Sequence, residues 1–234
     1  MQAAILAGGL GTRLRPLTET IPKPMISIHG KPFLEYELLL LRSHGITDFV
    51  LCVGYLEEKI EGYFRDGREL GINLRYSHDG PELLGPAGAL RKAESYLEDV
   101  FFVTYGDAYL RLDYQRVMKY FLSKERLGLM TVLENKNAYG KSDLVVQDGY
   151  VTKYDKKRNV EHMNWINFGV SILRKNALEV IPRAKECGEE EFYGKLIEKK
   201  ELLAYPVTER FYEIGNANSL REFEKFIAAS SNSA

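Results

Sequence analysis

The sequence predicts an α/β fold: a mostly parallel three-layer sheet with a β-hairpin extension late in the chain. Three observations carry this prediction. Short apolar, strand-like runs alternate with helix-like segments over the first ~120 residues, which implies right-handed βαβ crossovers. The strand candidates there are almost continuously apolar, as strands covered on both faces are. Asp148-Gly149 then separates two short apolar runs and marks a tight hairpin.

The elements follow in order. Ala3-Ala4-Ile5-Leu6 reads as a first buried strand, and Gly8, Gly9 and Gly11 follow it as a loop. Residues 32–43, PFLEYELLLLRS, form a helix, opened by a proline suited to the first turn and stopped by Gly45. Residues 49–53 are a strand, and 57–64 an amphipathic helix ended near Gly67. In 72–77, Leu74 and Tyr76 alternate with Arg75 and Ser77, the period of a strand. Residues 87–97 are a helix, 100–104 an apolar strand running into Tyr105-Gly106-Asp107, and 114–122 a helix. The second half gives a strand at 129–134, the hairpin strands 144–146 and 150–153, and a strand at 166–173 with Gly169 inside it. A helix at 190–199, a short strand at 202–206 and an amphipathic helix at 219–228 close the chain. No Pro/Gly/Ser linker and no internal repeat divides it, so residues 1–228 read as one domain and 229–234 as a disordered polar tail.

Composition narrows the function. The 234 residues carry a net charge of −1, without the basic excess of a general nucleic-acid binder, so any anion site must be local. No apolar run approaches the ~18–20 residues that span a membrane. The first six residues lack a basic n-region, and Cys52 and Cys187 have no metal spacing and read as free thiols. A cytoplasmic, reducing location is the default expectation.

Residues 6–25, LAGGLGTRLRPLTETIPKPM, hold most of the chemical information. Glycines let backbone N–H groups approach an anion, arginines add forked donors, and Lys23 between two prolines adds a point charge on a stiffened backbone. The stretch reads as a polyphosphate cradle. It lacks the G-x-x-x-x-G-K-S/T of a P-loop. Gly9-x-Gly11 is followed by Leu14 where a dinucleotide fingerprint needs a third glycine. The partner motifs of a kinase glycine loop, H-R-D and D-F-G, do not occur. A Gly-rich turn with solvated arginines would explain the composition, but not the order G-G-x-G-T-R-x-x-P followed by P-K-P.

That string resembles the signature of the sugar-1-phosphate nucleotidylyltransferases, the NDP-sugar pyrophosphorylases, and the chain resembles their short form. The resemblance runs from Gln2 to about Phe226. It implies a Rossmann-like sheet of the nucleotide-diphospho-sugar transferase type, with ligands outside the carboxyl ends of the strands. It implies an NTP and a sugar 1-phosphate as substrates, an NDP-sugar and pyrophosphate as products, and Mg²⁺ as cofactor. By the same resemblance Leu6, Ala7, Gly8, Gly9, Gly11 and Thr12, with Gly85 and Gly88 of a second loop, bind the nucleotide. Arg13, Lys23 and Lys156 are catalytic, with Lys157 the competitor of Lys156. Asn167, Gly169 and Glu191 (or Glu190) hold the sugar phosphate, and Asp107 and Glu213 the metal.

The chain departs from the family pattern in places. Glu213 stands where an aspartate is usual, Asp155 precedes Lys156 where a glutamate is usual, and Pro86-Ala87 interrupt the second glycine run. A phosphocholine-type cytidylyltransferase is the neighbouring alternative, and a catalytically silent nucleotide-binding homologue the alternative of another class. Base, sugar and oligomeric state stay open, a homodimer among the options; no nucleic acid or membrane partner is expected.

Overall fold

The computed structural model describes residues 1–135, 141–156, 163–183 and 185–231. The strands are β1 (Gln2–Leu6), β2 (Ser27–Ile28), β3 (Lys31–Pro32), β4 (Asp48–Val53), β5 (Asn73–His78), β6 (Val100–Tyr105), β7 (Ala108–Leu110), β8 (Gly128–Glu134), β9 (Leu144–Gln147), β10 (Tyr150–Tyr154), β11 (Trp165–Arg174), β12 (Leu202–Val207) and β13 (Phe211–Glu213). The helices are α1 (Phe33–Ser43), α2 (Glu57–Phe64), α3 (Gly85–Lys92), α4 (Tyr114–Leu122), α5 (Glu189–Glu198) and α6 (Ala217–Ser231).

Nine strands form one sheet in the order β5-β4-β1-β6-β11-β8-β12-β10-β9. The strands of the first half, β5, β4, β1 and β6, are parallel throughout. The second half is mixed: β11 runs antiparallel to β6 and β8, β12 returns parallel to β8, and the β9–β10 hairpin adds the far edge. The parallel expectation thus holds where helices alternate with strands, and gives way where hairpin chemistry takes over.

Period-two alternation sorts the strand residues into two cores. Ala3, Ile5, Phe49, Leu51 and Phe102 face one side, packing with Leu34 and Leu38 of α1 and Val117 of α4. Ala4, Val50, Phe101 and Val103 face the other, packing with Leu90 of α3 and Phe192 and Leu196 of α5. All of these are at most 2% exposed, which is why the sequence there is apolar at successive positions rather than alternating. A third, smaller core seats α6: Phe223 and Ile227 pack on Ile28, Phe33 and Ile214.

Local chemistry sets the boundaries. Asp113 caps α4, its carboxylate accepting from the Arg116 N–H at 2.9 Å. The helix expected over 87–97 starts earlier, at Gly85 with Pro86 in its first turn, and tightens to a 3₁₀ turn over Ala93–Tyr96. The closing helix runs to Ser231, so residues 229–231 are helix rather than tail, while 232–234 lie outside the described residues. Among the described residues no helix is long and apolar enough to cross a membrane.

Candidate active site

Parallel pairing brings four strand ends to one edge. Leu6 is in register with Cys52 and with Tyr105, and Val53 with His78. The loops that follow β1, β4, β5 and β6 therefore meet, enclosing a cleft of about 230 Å³.

The glycines make this convergence tight. Ala7 N–H donates to the Cys52 carbonyl at 2.8 Å, and Tyr55 N–H to the Gly8 carbonyl at 3.2 Å. A Cβ added to Gly8 would lie 3.1 Å from the Gly54 nitrogen. Gly11 has φ +61°, and its carbonyl accepts from the Thr18 hydroxyl at 2.9 Å, which curls the loop back over Lys23. Gly106 N–H donates to Leu6 O at 3.0 Å, and a Cβ on Gly106 would meet both Ala7 and Pro24 at 3.2 Å.

This packing delivers Lys23 to Asp107. Their ammonium and carboxylate lie 2.5 Å apart on the cleft wall, with side chains 13% and 27% exposed. Leu6, Ala7, Gly8, Gly9, Gly11 and Gly85 also line the cleft. Gly88 does not; a Cβ there would press within 2.9 Å of the Leu84 side chain and the Lys185 carbonyl, so its role is close packing of α3. Thr12 and Arg13 ride an exposed 3₁₀ turn beside the cleft rather than lining it.

Glu213 reaches the same corner through the backbone. β13 pairs antiparallel with β7, placing Glu213 opposite Ala108, and Ile214 N–H donates to the Asp107 carbonyl at 3.0 Å. Its carboxylate folds over Gly215 and borders a neighbouring hollow with Arg210 and Glu222. Among the described residues no three His, Cys, Asp or Glu side chains converge as a metal centre. A cation at Asp107 would complete its shell from phosphate oxygens and water, as Mg²⁺ does; the Asp107 carboxylate is a hard donor that suits it, while the Glu213 carboxylate does not line the cleft.

Lys156 follows β10 and does not itself line the cleft; it is linked to the cleft wall through Glu189 and Tyr105. Its ammonium is paired with Glu189, whose other oxygen accepts from the Tyr105 hydroxyl, and its backbone N–H donates to Glu190 at 2.7 Å. Lys157 lies outside the described residues. Asn167 and Gly169 sit together in a bulge of β11: the register slips between Asn167 and Ser171, Gly169 takes φ +108°, and its N–H donates to Asn167 Oδ1 at 2.9 Å. Glu191 makes a different pairing. It is exposed and pairs with Lys195 one turn on, at 2.8 Å. The helix phase turns Glu189 and Tyr193 inward instead, so Glu189 is the acid facing Lys156.

Sequence reasoning also passed over Asp79 and Tyr105. Asp79 is 8% exposed, lines the cleft one residue beyond β5, and accepts from the Leu84 N–H at 3.2 Å. Burial pushes its carboxyl above the usual range, and the Leu84 N–H opposes this. Its place after a strand on the ligand edge was the available signal. Burial also drives the Cys52 thiol up to about 12, so the thiol in the cleft wall is inert. Below Asp107, fully buried Glu37 accepts from the Thr104 hydroxyl at 2.7 Å, and burial holds its carboxyl well above the usual range.

Fold and cleft together define a nucleotide-diphospho-sugar transferase type of α/β protein. More narrowly, the chain belongs to the nucleotidyl transferase family, whose model matches residues 2–230. It is 38% identical over 207 residues to a UTP–glucose-1-phosphate uridylyltransferase of Synechocystis, covering 80% of this chain and 52% of the relative, so it spans about half that protein's length. It is 33% identical over 215 residues to the D-glycero-α-D-manno-heptose 1-phosphate guanylyltransferase of Campylobacter jejuni, covering 92% and 95% of the two chains. Among solved structures, HddC from Yersinia pseudotuberculosis superposes with a TM-score of 0.83 at 28% identity, over 97% of this chain and 99% of that one. The same protein has been solved with GMP-PN.

Proposed function

We propose that this chain transfers a nucleoside monophosphate from an NTP to a sugar 1-phosphate, releasing pyrophosphate and forming an NDP-sugar. The observation that carries this is the Lys23–Asp107 pair seated against the glycine loop, a cation and an oxygen ligand on one wall of a cleft lined by permissive backbone. The family and the relatives above support the reaction class.

The reaction is an in-line displacement. An oxygen of the sugar phosphate attacks the α-phosphorus, a new P–O bond forms, and the α–β bridging bond breaks with its electrons leaving on pyrophosphate. The attacking phosphate is ionised at neutral pH, so no general base is needed; positioning and charge neutralisation do the rest. The loop amides hold the β- and γ-phosphates, Arg13 reaches toward them from its exposed turn beside the cleft, Lys23 neutralises the α-phosphate, and Lys156 aligns the acceptor. Asp107 would hold Mg²⁺, which neutralises phosphate charge when bound, and Glu213 would join it only by turning its carboxylate away from Gly215.

Asp79 bears on the base. In its ionised form the Asp79 carboxylate accepts and does not donate. Guanine presents two adjacent donors on its Watson–Crick edge, whereas uracil and thymine flank a single N–H with two acceptors. Guanine is therefore the base this wall suits best.

Pyrophosphate release from each of four triphosphates against a panel of sugar 1-phosphates, with and without Mg²⁺, tests the function. Release that Asp107→Ala abolishes is expected; no release from any combination would overturn it.

A further inference from the structure

We propose that Glu189 is a positioning residue for Lys156: it anchors the ammonium beside the cleft and, through the Tyr105 hydroxyl, ties it to the cleft wall. This rests on the reading of Lys156 as the lysine that meets the acceptor phosphate.

Two contacts make the chain of connection. Tyr105 lines the cleft two residues before Asp107, and its hydroxyl donates to one oxygen of Glu189. The other oxygen takes the Lys156 ammonium. Glu189 is only 12% exposed, while Lys156 is 46% exposed, so the carboxylate is the fixed member and the lysine the mobile one. Glu189 is also the first residue of α5, where the helix dipole favours a negative charge.

The segment before it is clamped to the other cleft wall. The Cys187 carbonyl accepts from Ala87 N–H at 3.1 Å and Gly88 N–H at 3.3 Å, and Cys187 N–H donates to Leu84 O at 2.9 Å. Gly85 and Pro86 of that same turn line the cleft. Glu189 is thus referenced to both walls at once.

A lysine needs such an anchor more than an arginine does. Its four-carbon stem is flexible and its ammonium presents three rotatable donors. Fixing one donor on Glu189 directs the remaining two at an acceptor phosphate. Because Tyr105 lines the cleft, its hydroxyl is the route by which a group filling the cleft would act on Glu189.

Steady-state kinetics on Glu189→Gln, Tyr105→Phe and Lys156→Ala test this. Glu189→Gln is expected to lower kcat/KM for the sugar phosphate about tenfold while KM for the triphosphate stays within twofold. In the Lys156→Ala background it is expected to add nothing. An unchanged or raised kcat/KM for the acceptor, or full additivity with Lys156→Ala, overturns the proposal. A second measurement needs no turnover. With lysines reductively ¹³C-methylated, the Lys156 resonance, assigned from Lys156→Ala, should move in Glu189→Gln. It should also move when GTP is added to the wild type, and less in Tyr105→Phe. A Lys156 resonance indifferent to both changes overturns the anchor. If no substrate pair turns over, the proposed function fails and the resonance still decides the role of Glu189.

Discussion

Lys23 and Asp107, 84 residues apart in sequence, meet at 2.5 Å across the joint between the glycine loop and the end of β6. Each is the other's counter-ion on the wall of the cleft. Under the proposed function, triphosphate binding would divide the pair, drawing the lysine to phosphate and leaving the aspartate for a cation. Lys23→Ala and Asp107→Ala are each expected to lower kcat by about 10²–10³, the scale for removing one preorganised charge from a transition state. The double variant should lose far less than the product of the two, because each single change leaves an uncompensated charge. Additive losses in a pyrophosphate-release assay would show that the two act independently.

Gly106 is the steric key to that meeting. Its missing side chain lets Ala7 and Pro24 approach to where a Cβ would touch both at 3.2 Å. Gly106→Ala should move the Pro22-Lys23-Pro24 segment outward by a few tenths of an ångström. Activity is expected to fall about tenfold or more with a drop in Tm of only a few degrees. A variant that keeps wild-type turnover would show that the close approach is dispensable.

The parallel half was legible because physics overdetermines it. Strands buried on both faces must be apolar at every position, as Ala3 to Ile5 and Phe49 to Val53 are. Loops at their carboxyl ends then share an edge, so the juxtaposition of Gly8 and Gly9 with Asp107 was readable in advance. Glu189 was not readable. Three consecutive glutamates carry no internal phase, and only the packing of Phe192 and Tyr193 fixes which one turns inward. Asp79 was hidden for another reason: a polar residue after a strand looks like a solvated turn until the loop over 81–84 closes on it. Arg13 was recognised by type and order, yet its 3₁₀ turn leaves it outside the cleft lining.

Asp79 gives the base assignment its own test. Asp79→Asn swaps one acceptor for a donor while keeping shape and the means to accept from Leu84 N–H. If the carboxylate reads guanine's paired donors, the variant should lose about 1–3 kcal/mol of discrimination for GTP over UTP, a factor of roughly five to 150 in relative kcat/KM. A GTP/UTP ratio that does not move, or a wild type that prefers UTP, removes Asp79 from base selection.

Asp143 supplies a prediction in pH. Its carboxyl is pushed up to about 6, chiefly by burial; the Asn167 N–H and Lys156 pull it down, and Glu189 pushes it further up. The folded value lies above the unfolded value of about 3.9, so the fold prefers the protonated form. The stabilising contribution is complete below about pH 4 and is lost as pH rises through 6. Asp143→Asn keeps an acceptor for the Asn167 N–H, which Oδ1 receives at 3.2 Å, and carries no charge at any pH. Its stability relative to wild type should therefore climb between pH 4 and 7, reaching of order 1–3 kcal/mol at neutrality. Urea melts of both proteins at half-unit steps read this directly. A flat difference would mean that water or Lys156 already compensates the buried charge, and an inverted one that the carboxylate is held ionised in the fold.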